Sequence, residues 1–509
     1  MKLCGFFLSF LLCVFCSSLC SEEFLFSESA LDSYIEKGMA SLDVPGVAIA
    51  IVNDGKICFI KGYGVRKVKT KEVVDENTIF SIGSCTKAFT AAALSILADE
   101  KKLSFDDAVL SHLKSFRLSD PYVTQEITIK DLLLHRSGLE RADLLWYGGS
   151  FDRKEIISRL KHVAFARSFR SEYGYNNLMY LVAGELIPIL TSQSWDGFIQ
   201  QRFFLPLEMT RSGTTVRSLN ESENVASPHQ KIQGEIRVVS WANVENIAPA
   251  AAINSTASDM AKWVQMLLQK GIYKGTHILN AHSIEQMFSP QIFASEPWTK
   301  GLYPMETDFF TYGFGWRIYE YLGNKIVEHA GCVDGMGSLV VMIPEKNFGM
   351  VILTNRLLNG LPYSIKNHLF DIYLCLPQKN WNEKIGKEFS DFEEKAALDE
   401  KNTENERVAN TQPSLPLEEY VGTFHNDEYG DATIFLQNGE LVIDLLAFHC
   451  PLMHWHFDAF RFDPSVSFPL FMNKPFVNFR LNAKGKVENL QMTTSWALES
   501  IWKKVLASQ

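Results

Sequence analysis

The chain has 509 residues, 46% of them hydrophobic, and a formal net charge of −10. That length and apolar content describe two or three globular domains with a sizeable core. The acidic balance, with no long basic run, gives no support to nucleic-acid or anionic-membrane binding.

Taken in chain order, the first feature is "LCGFFLSFLLCVFC" after Lys2, followed by "SSLCSEE". This is the layout of a secretory signal peptide over residues 1–20, so the mature protein is expected to be exported, to the periplasm or beyond. No later stretch reaches the ~18 apolar residues of a spanning helix, so no integral membrane domain is expected after cleavage. Of nine cysteines, four lie in that leader. Cys58, Cys85, Cys332, Cys375 and Cys450 remain, an odd and scattered set with no zinc spacing, and all five are expected to be free thiols.

From Val44 the text reads "VPGVAIAIVNDGKICFIKGYG", two apolar runs flanking Asn53-Asp54-Gly55, which predicts a β-hairpin. An Ala-rich helix follows Ser84, then mostly helical, loop-broken sequence to about residue 290, including "ITIKDLLLH" and "SDMAKWVQMLLQKG". Strands return at "YGFGWRIYEY", "NKIVEHAG", "SLVVMIPE" and "GMVILTN". A sheet begun at one end and finished at the other predicts an α+β fold over residues 21–380, an antiparallel sheet with flanking helices and a helical subdomain. Residues 381–414 are charged and end in Pro, reading as a surface helix running into a linker. Residues 415–509 carry short alternating runs with turns at Asn438-Gly439 and Lys484-Gly485, a separate small all-β domain.

Chemistry enters at "SIGSCTKAFTAAALSILADE", where Ser84 stands three residues before Lys87 at the mouth of an apolar helix. Residues i and i+3 share a helix face. A Lys facing an apolar interior favours its neutral form, and a neutral amine beside a hydroxyl is a base beside a nucleophile. The same spacing recurs at Ser111/Lys114, Ser158/Lys161 and Ser500/Lys503, but in amphipathic or terminal segments without comparable surroundings. Some ninety residues on, "RSEYGYNNLMYLVAGELI" places Tyr175 and Asn177 before an apolar helix. Tyr175 is a candidate proton relay, and Asn177 offers a donor and an acceptor to an amide. Later, "IVEHAGCVDGMGSLVVMI" ends a strand in His329-Ala330-Gly331, with small residues that permit close backbone approach.

Together these segments resemble the serine β-lactamase and penicillin-binding protein superfamily, whose signatures are S-x-x-K, then S-D-N or Y-x-N, then K-T-G. Here they stand as Ser84–Lys87, Tyr175–Asn177 and His329–Gly331. "LLLHRSGL", "LPLEM" and "NSTASDMAKW" fit the class C β-lactamase-related branch, which includes esterases, D-aminopeptidases and D-Ala carboxypeptidases. The tail is similar to the lipocalin-like β domain of some of these hydrolases.

The resemblance implies a β-lactamase/transpeptidase-like fold and a Ser84 acyl-enzyme, with Lys87 and Tyr175 sharing proton transfer. It implies an oxyanion hole from the backbone N–H groups of Ser84 and Cys332, and Asn177, His329 and Gly331 on the substrate. The substrate is a small molecule or short peptide; no metal or organic cofactor is implied. His329 stands where β-lactamases carry Lys; an imidazole near pKa ~6.5 is mostly neutral at pH 7, which favours esters and amides over carboxylate-bearing substrates. A β-lactamase, a D-Ala-D-Ala carboxypeptidase, a slowly acylating receptor for cell-wall fragments, an assembly unit and a Cys85-His hydrolase are the other readings. Nothing in the sequence fixes the oligomeric state.

Overall fold

The structure, a computed structural model, describes residues 26–505 apart from 149, 218, 220–221, 233, 295–300, 305–308, 464–474 and 495–496. The expected signal segment lies outside the described residues. Helix α1 (Glu28–Ser41) leads into strands β1 (Gly46–Asn53) and β2 (Lys56–Gly64). Their turn holds Asp54 at φ 48° and Gly55 at φ 71°, the two left-handed positions that a tight hairpin of this kind requires.

Helices α2 (Thr86–Asp99), α3 (Asn177–Thr191) and α4 (Ala257–Leu268) are the long members of the helical middle. Strands β3 (Ile292–Phe293), β4 (Phe310–Tyr312), β5 (Arg317–Tyr321), β6 (Asn324–Val333), β7 (Met336–Ile343) and β8 (Phe348–Thr354) then complete the sheet. Its order is β2-β1-β8-β7-β6-β5-β4-β3, antiparallel throughout. First and last strands of the domain thus pair directly, second and third from one edge of the sheet, with Ala50 opposite Val351.

Successive side chains of a strand point to opposite faces, and β1 uses both. Ala48, Ala50 and Val52 enter one core with α2, α3 and α4. Val47, Ile49 and Ile51 enter a second core with α1, α5 (Leu361–Tyr373) and the start of α6 (Trp381–Asn405). Both faces are covered, which is why β1 and β8 read as unbroken apolar runs rather than alternating ones. Helix α2 is buried from Thr86 to Leu97, as an all-round apolar helix must be.

The run "YGFGWRIYEY" is not one strand. It breaks between Tyr312 and Arg317, where a Cβ on Gly315 (φ 76°) would come within 2.9 Å of the Lys87 carbonyl oxygen. The backbone of α2 occupies the place a continuous strand would need.

The charged segment after residue 380 is more than a linker. Helix α6 buries Trp381 and Ile385, with Trp381 Nε1 donating to Asp371 at 2.7 Å. Its far end sets Glu400 and Glu404 at 2.7 Å from the buried Arg461 of the tail. The tail is a closed antiparallel barrel of eight strands, β9 (Gly422–Asn426), β10 (Gly430–Gln437), β11 (Glu440–Leu445), β12 (Phe448–His456), β13 (Ala459–Phe462), β14 (Phe476–Leu481), β15 (Val487–Thr494) and β16 (Ala497–Lys504). Closure leaves no open edge. Both expected turns are present, with Asn438, Gly439 and Gly485 at positive φ. Among the described residues no helix is long and apolar enough to cross a membrane. Cys58, Cys85, Cys332 and Cys450 are free, as expected, and Cys375 is disulfide-bonded with no partner among the described residues.

Candidate active site

Ser84 sits in a single 3-10 turn, Gly83–Cys85, that runs straight into α2. Strand β6 presses on this turn, and two glycines make the approach possible. A Cβ on Gly83 (φ 48°) would lie 2.7 Å from the Cys332 nitrogen, and one on Gly331 would overlap the Ile82 carbonyl and lie 2.9 Å from the Ser84 nitrogen. The backbone at Ser84 and the backbone at Cys332 thus run close together, the closeness that an oxyanion hole from their two N–H groups would need. Gly331 serves that close approach.

Lys87, the second residue of α2, is fully buried. Its Nζ lies 3.1 Å from Ser84 Oγ, 2.8 Å from Asn177 Oδ1 and 3.0 Å from the Ala250 carbonyl oxygen. Burial first, then the nearby Arg141 guanidinium, holds its pKa well below the ordinary lysine value. A neutral amine has two N–H donors for the two oxygens that can only accept, and its lone pair is left facing the Ser84 hydroxyl. Tyr175 donates its O–H to the same Ser84 Oγ at 2.7 Å, and Lys87 Nζ stands 4.7 Å from the Tyr175 ring centre.

Asn176 caps α3 by accepting from the Leu178 and Met179 N–H groups. Asn177, the first helical residue, has its amide fixed at both ends, with Oδ1 toward Lys87 and Nδ2 donating to Asp143 Oδ1 at 3.3 Å. Its amide is thus held between Lys87 and Asp143. Asp143 also accepts from Trp146 Nε1 at 2.7 Å and Arg141 Nε at 2.8 Å.

His329 is buried too, and both ring nitrogens are engaged within the protein. Nδ1 lies 2.6 Å from the Ala330 carbonyl oxygen, which can only accept, so Nδ1 carries the proton and Nε2 accepts from the Tyr312 hydroxyl at 2.9 Å. Burial is the main cause that pushes its pKa down to about 3. The one N–H of the neutral ring is thus already used by Ala330.

The structure brings Ser84, Lys87, Tyr175 and Asn177 together, with Gly331 and Cys332 behind the nucleophile and His329 one layer deeper. The other serines do not compete: Ser111 and Ser158 are exposed and donate to the carbonyls of Ala108 and Glu155. Cys85 is no rival nucleophile. Its thiol is buried, donates to the His329 carbonyl oxygen rather than meeting the ring, and is pushed up to about 12 by burial.

Sequence reasoning missed Arg141, Asp143, Tyr312 and His135. His135 lies within the quoted "LLLHRSGL"; its φ of 55° and its Nδ1, which accepts from the Asn176 N–H at 3.0 Å, tie that motif to the Tyr175 loop. Its ring centre lies 4.5 Å from that of Tyr175.

Comparison with known proteins bears on the family and the fold. A family profile described as beta-lactamase matches residues 31–369, and one described as a domain of unknown function matches residues 406–504. Unguisins hydrolase ungD' of Aspergillus campestris is 29% identical over 422 residues, 77% of this chain and 74% of that protein. Protein flp of Staphylococcus aureus is 27% identical, covering 67% of each. The octameric penicillin-binding protein homologue from Pyrococcus abyssi shares the fold, with a TM-score of 0.61 at 23% identity, over 94% of this chain and 100% of that one.

Proposed function

Because the chain belongs to the beta-lactamase family, a family whose members here include proteins named hydrolases, we propose that it is an exported serine hydrolase that acts through a Ser84 acyl-enzyme on ester, amide or D-amino-acid peptide bonds. One observation carries the reading: Ser84 Oγ is held between the Tyr175 hydroxyl at 2.7 Å and a buried Lys87 amine at 3.1 Å. As Ser84 attacks the carbonyl, its proton passes to neutral Lys87 and the new oxyanion meets the Ser84 and Cys332 N–H groups. Tyr175 then donates its proton to the leaving oxygen or nitrogen and recovers one from Lys87. Water releases the acyl group by the reverse proton path.

Specificity follows from His329. A neutral imidazole bound at both nitrogens offers no cation for a substrate carboxylate, which favours esters and neutral amides over penicillins and D-Ala-D-Ala peptides. The name of the Aspergillus relative, a hydrolase of unguisins, fits a hydrolase that is not a β-lactamase. The apolar leader supports export. The test is a panel of p-nitrophenyl esters, D-amino-acid amides, D-Ala-D-Ala peptides and a chromogenic cephalosporin on the wild type and Ser84→Ala. Ester or amide turnover, with fluorophosphonate labelling lost in Ser84→Ala, supports the reading. Efficient cephalosporin hydrolysis, or labelling that persists in Ser84→Ala, would sink it.

A further inference from the structure

The barrel approaches the active site through an aromatic contact. Tyr147 lies on the loop that carries Arg141 and Asp143. Its ring is parallel to Phe448 at the start of β12, with 1° between the planes and 6.1 Å between ring centres. Such pairs contribute beyond the area they bury. The Tyr147 hydroxyl donates to the carboxylate of Asp334, two residues after Cys332 in the turn between β6 and β7. Beside it, a Cβ on Gly148 would already be 3.2 Å from the Ala447 side chain. A second tie lies close by, where Arg159 Nη1 donates to the Asp427 and Glu428 carbonyl oxygens, both at 3.2 Å.

Two segments that flank Ser84 therefore meet at Tyr147. One is the loop that reaches Lys87 through Asp143 and Asn177; the other is the turn that follows the oxyanion nitrogen of Cys332. We infer that Phe448 and Tyr147 form a strut through which the barrel fixes the width of the cleft at Ser84, and so excludes substrates with bulky acyl or leaving groups. The catalytic side of this inference rests on the Ser84 reading. Phe448 acts only through Tyr147, as a positioning residue, and touches no reacting atom.

The full-length protein and its Phe448→Ala and Phe448→Tyr variants test this by two readouts. Phe448→Ala should raise the ratio of kcat/KM for a bulky naphthoyl ester over p-nitrophenyl acetate by about tenfold, through KM, a discrimination within reach of one apolar contact. Phe448→Tyr keeps the ring and should keep the wild-type ratio. The second readout needs no activity. Cys332, exposed as a residue although burial pushes its thiol up to about 11, is alkylated at mildly alkaline pH with a small and a bulky maleimide and followed by peptide mass spectrometry, and the bulky reagent should gain in Phe448→Ala alone. Should that variant not fold, Phe448→Leu takes the same two measurements. Unchanged ratios in both would overturn the strut. A wild type that neither turns over esters nor labels at Ser84 overturns the hydrolase reading instead, while the alkylation ratio still decides the strut.

Discussion

Lys87 is competent as a base only when it carries no proton, and its surroundings arrange for that through burial and the Arg141 charge. Activity should therefore fall as pH drops through this lowered pKa, where the amine gains the proton it must take from Ser84. Lys87→Met keeps the apolar stem, removes the amine, and should cost at least about 10²-fold in kcat with labelling at Ser84 slowed in parallel. Activity unchanged in Lys87→Met would remove the amine from the mechanism. His329 makes the opposite case. Held near a pKa of about 3, it should contribute no activity step between about pH 5 and 8, where an ordinary histidine titrates. Nitrogen NMR of the labelled protein should show a neutral ring protonated at Nδ1; a cationic His329 at pH 6 would contradict the hydrogen bonds drawn to Ala330 and Tyr312. Legibility at this scale follows sequence distance. Ser84 and Lys87 were readable because i and i+3 meet on any helix. Tyr312 and Asp143 were not, because each reaches the site only through tertiary packing, Tyr312 from strand β4 and Asp143 from a loop with no pattern of its own.

Strand β6 shows how one element serves the site and the scaffold at once. Gly331 faces the nucleophile turn so tightly that Gly331→Ala must push β6 away from Ser84. Overpacking of this kind costs about 1–3 kcal/mol, and activity should fall further than stability, measured as kcat against the denaturation midpoint. A variant with wild-type kcat would show that the approach does not position the oxyanion nitrogens. His329 and Glu328 point to opposite faces of the same strand, as neighbours on a strand must. Glu328 is buried against Lys366 of α5 at 3.2 Å and accepts from Tyr303 at 2.7 Å and Tyr319 at 2.9 Å. Removing one partner of such a pair strands a buried charge, so Glu328→Gln should cost about 3–5 kcal/mol, whereas an apolar replacement of both is often near neutral. Urea titration of Glu328→Gln and of the Glu328→Leu/Lys366→Met double variant separates the two; equal losses would mean the pair is not acting as a pair. The hairpins at Asp54-Gly55 and Asn438-Gly439 were legible because their turn residues are local. The break at Gly313–Trp316 was not, since α2 lies more than two hundred residues earlier in the chain.

At the scale of the whole molecule, the barrel was foreseen as a separate unit from its change of periodicity, but its grip on the hydrolase domain was not. No local pattern signals that Phe448 will meet Tyr147, that Arg461 will close on Glu400 and Glu404, or that α6 is packed at both ends. This junction also holds a titratable group. Glu428 is mostly buried beside Tyr429 and Glu140, with its Oε1 unpartnered, and burial first, then the Glu140 charge, raises its pKa from 4.5 to about 7 against the pull of Tyr429. The folded protein therefore holds this proton at pH values where the unfolded chain has already lost it. The resulting stability is complete below about pH 4.5 and declines as pH rises to about 7, because between those values the native state binds more protons than the unfolded one. Above about 7 the ionised carboxyl is held at the junction against the Glu140 charge. Glu428→Gln removes the charge and keeps the shape, so it should flatten this decline and leave the variant more stable than wild type at pH 8. Thermal denaturation of both proteins across pH 4 to 8 measures the difference. A wild type and a Glu428→Gln protein with parallel profiles would show that the carboxyl does not sit buried between barrel and hydrolase domain, and would remove the pH dependence argued for their contact.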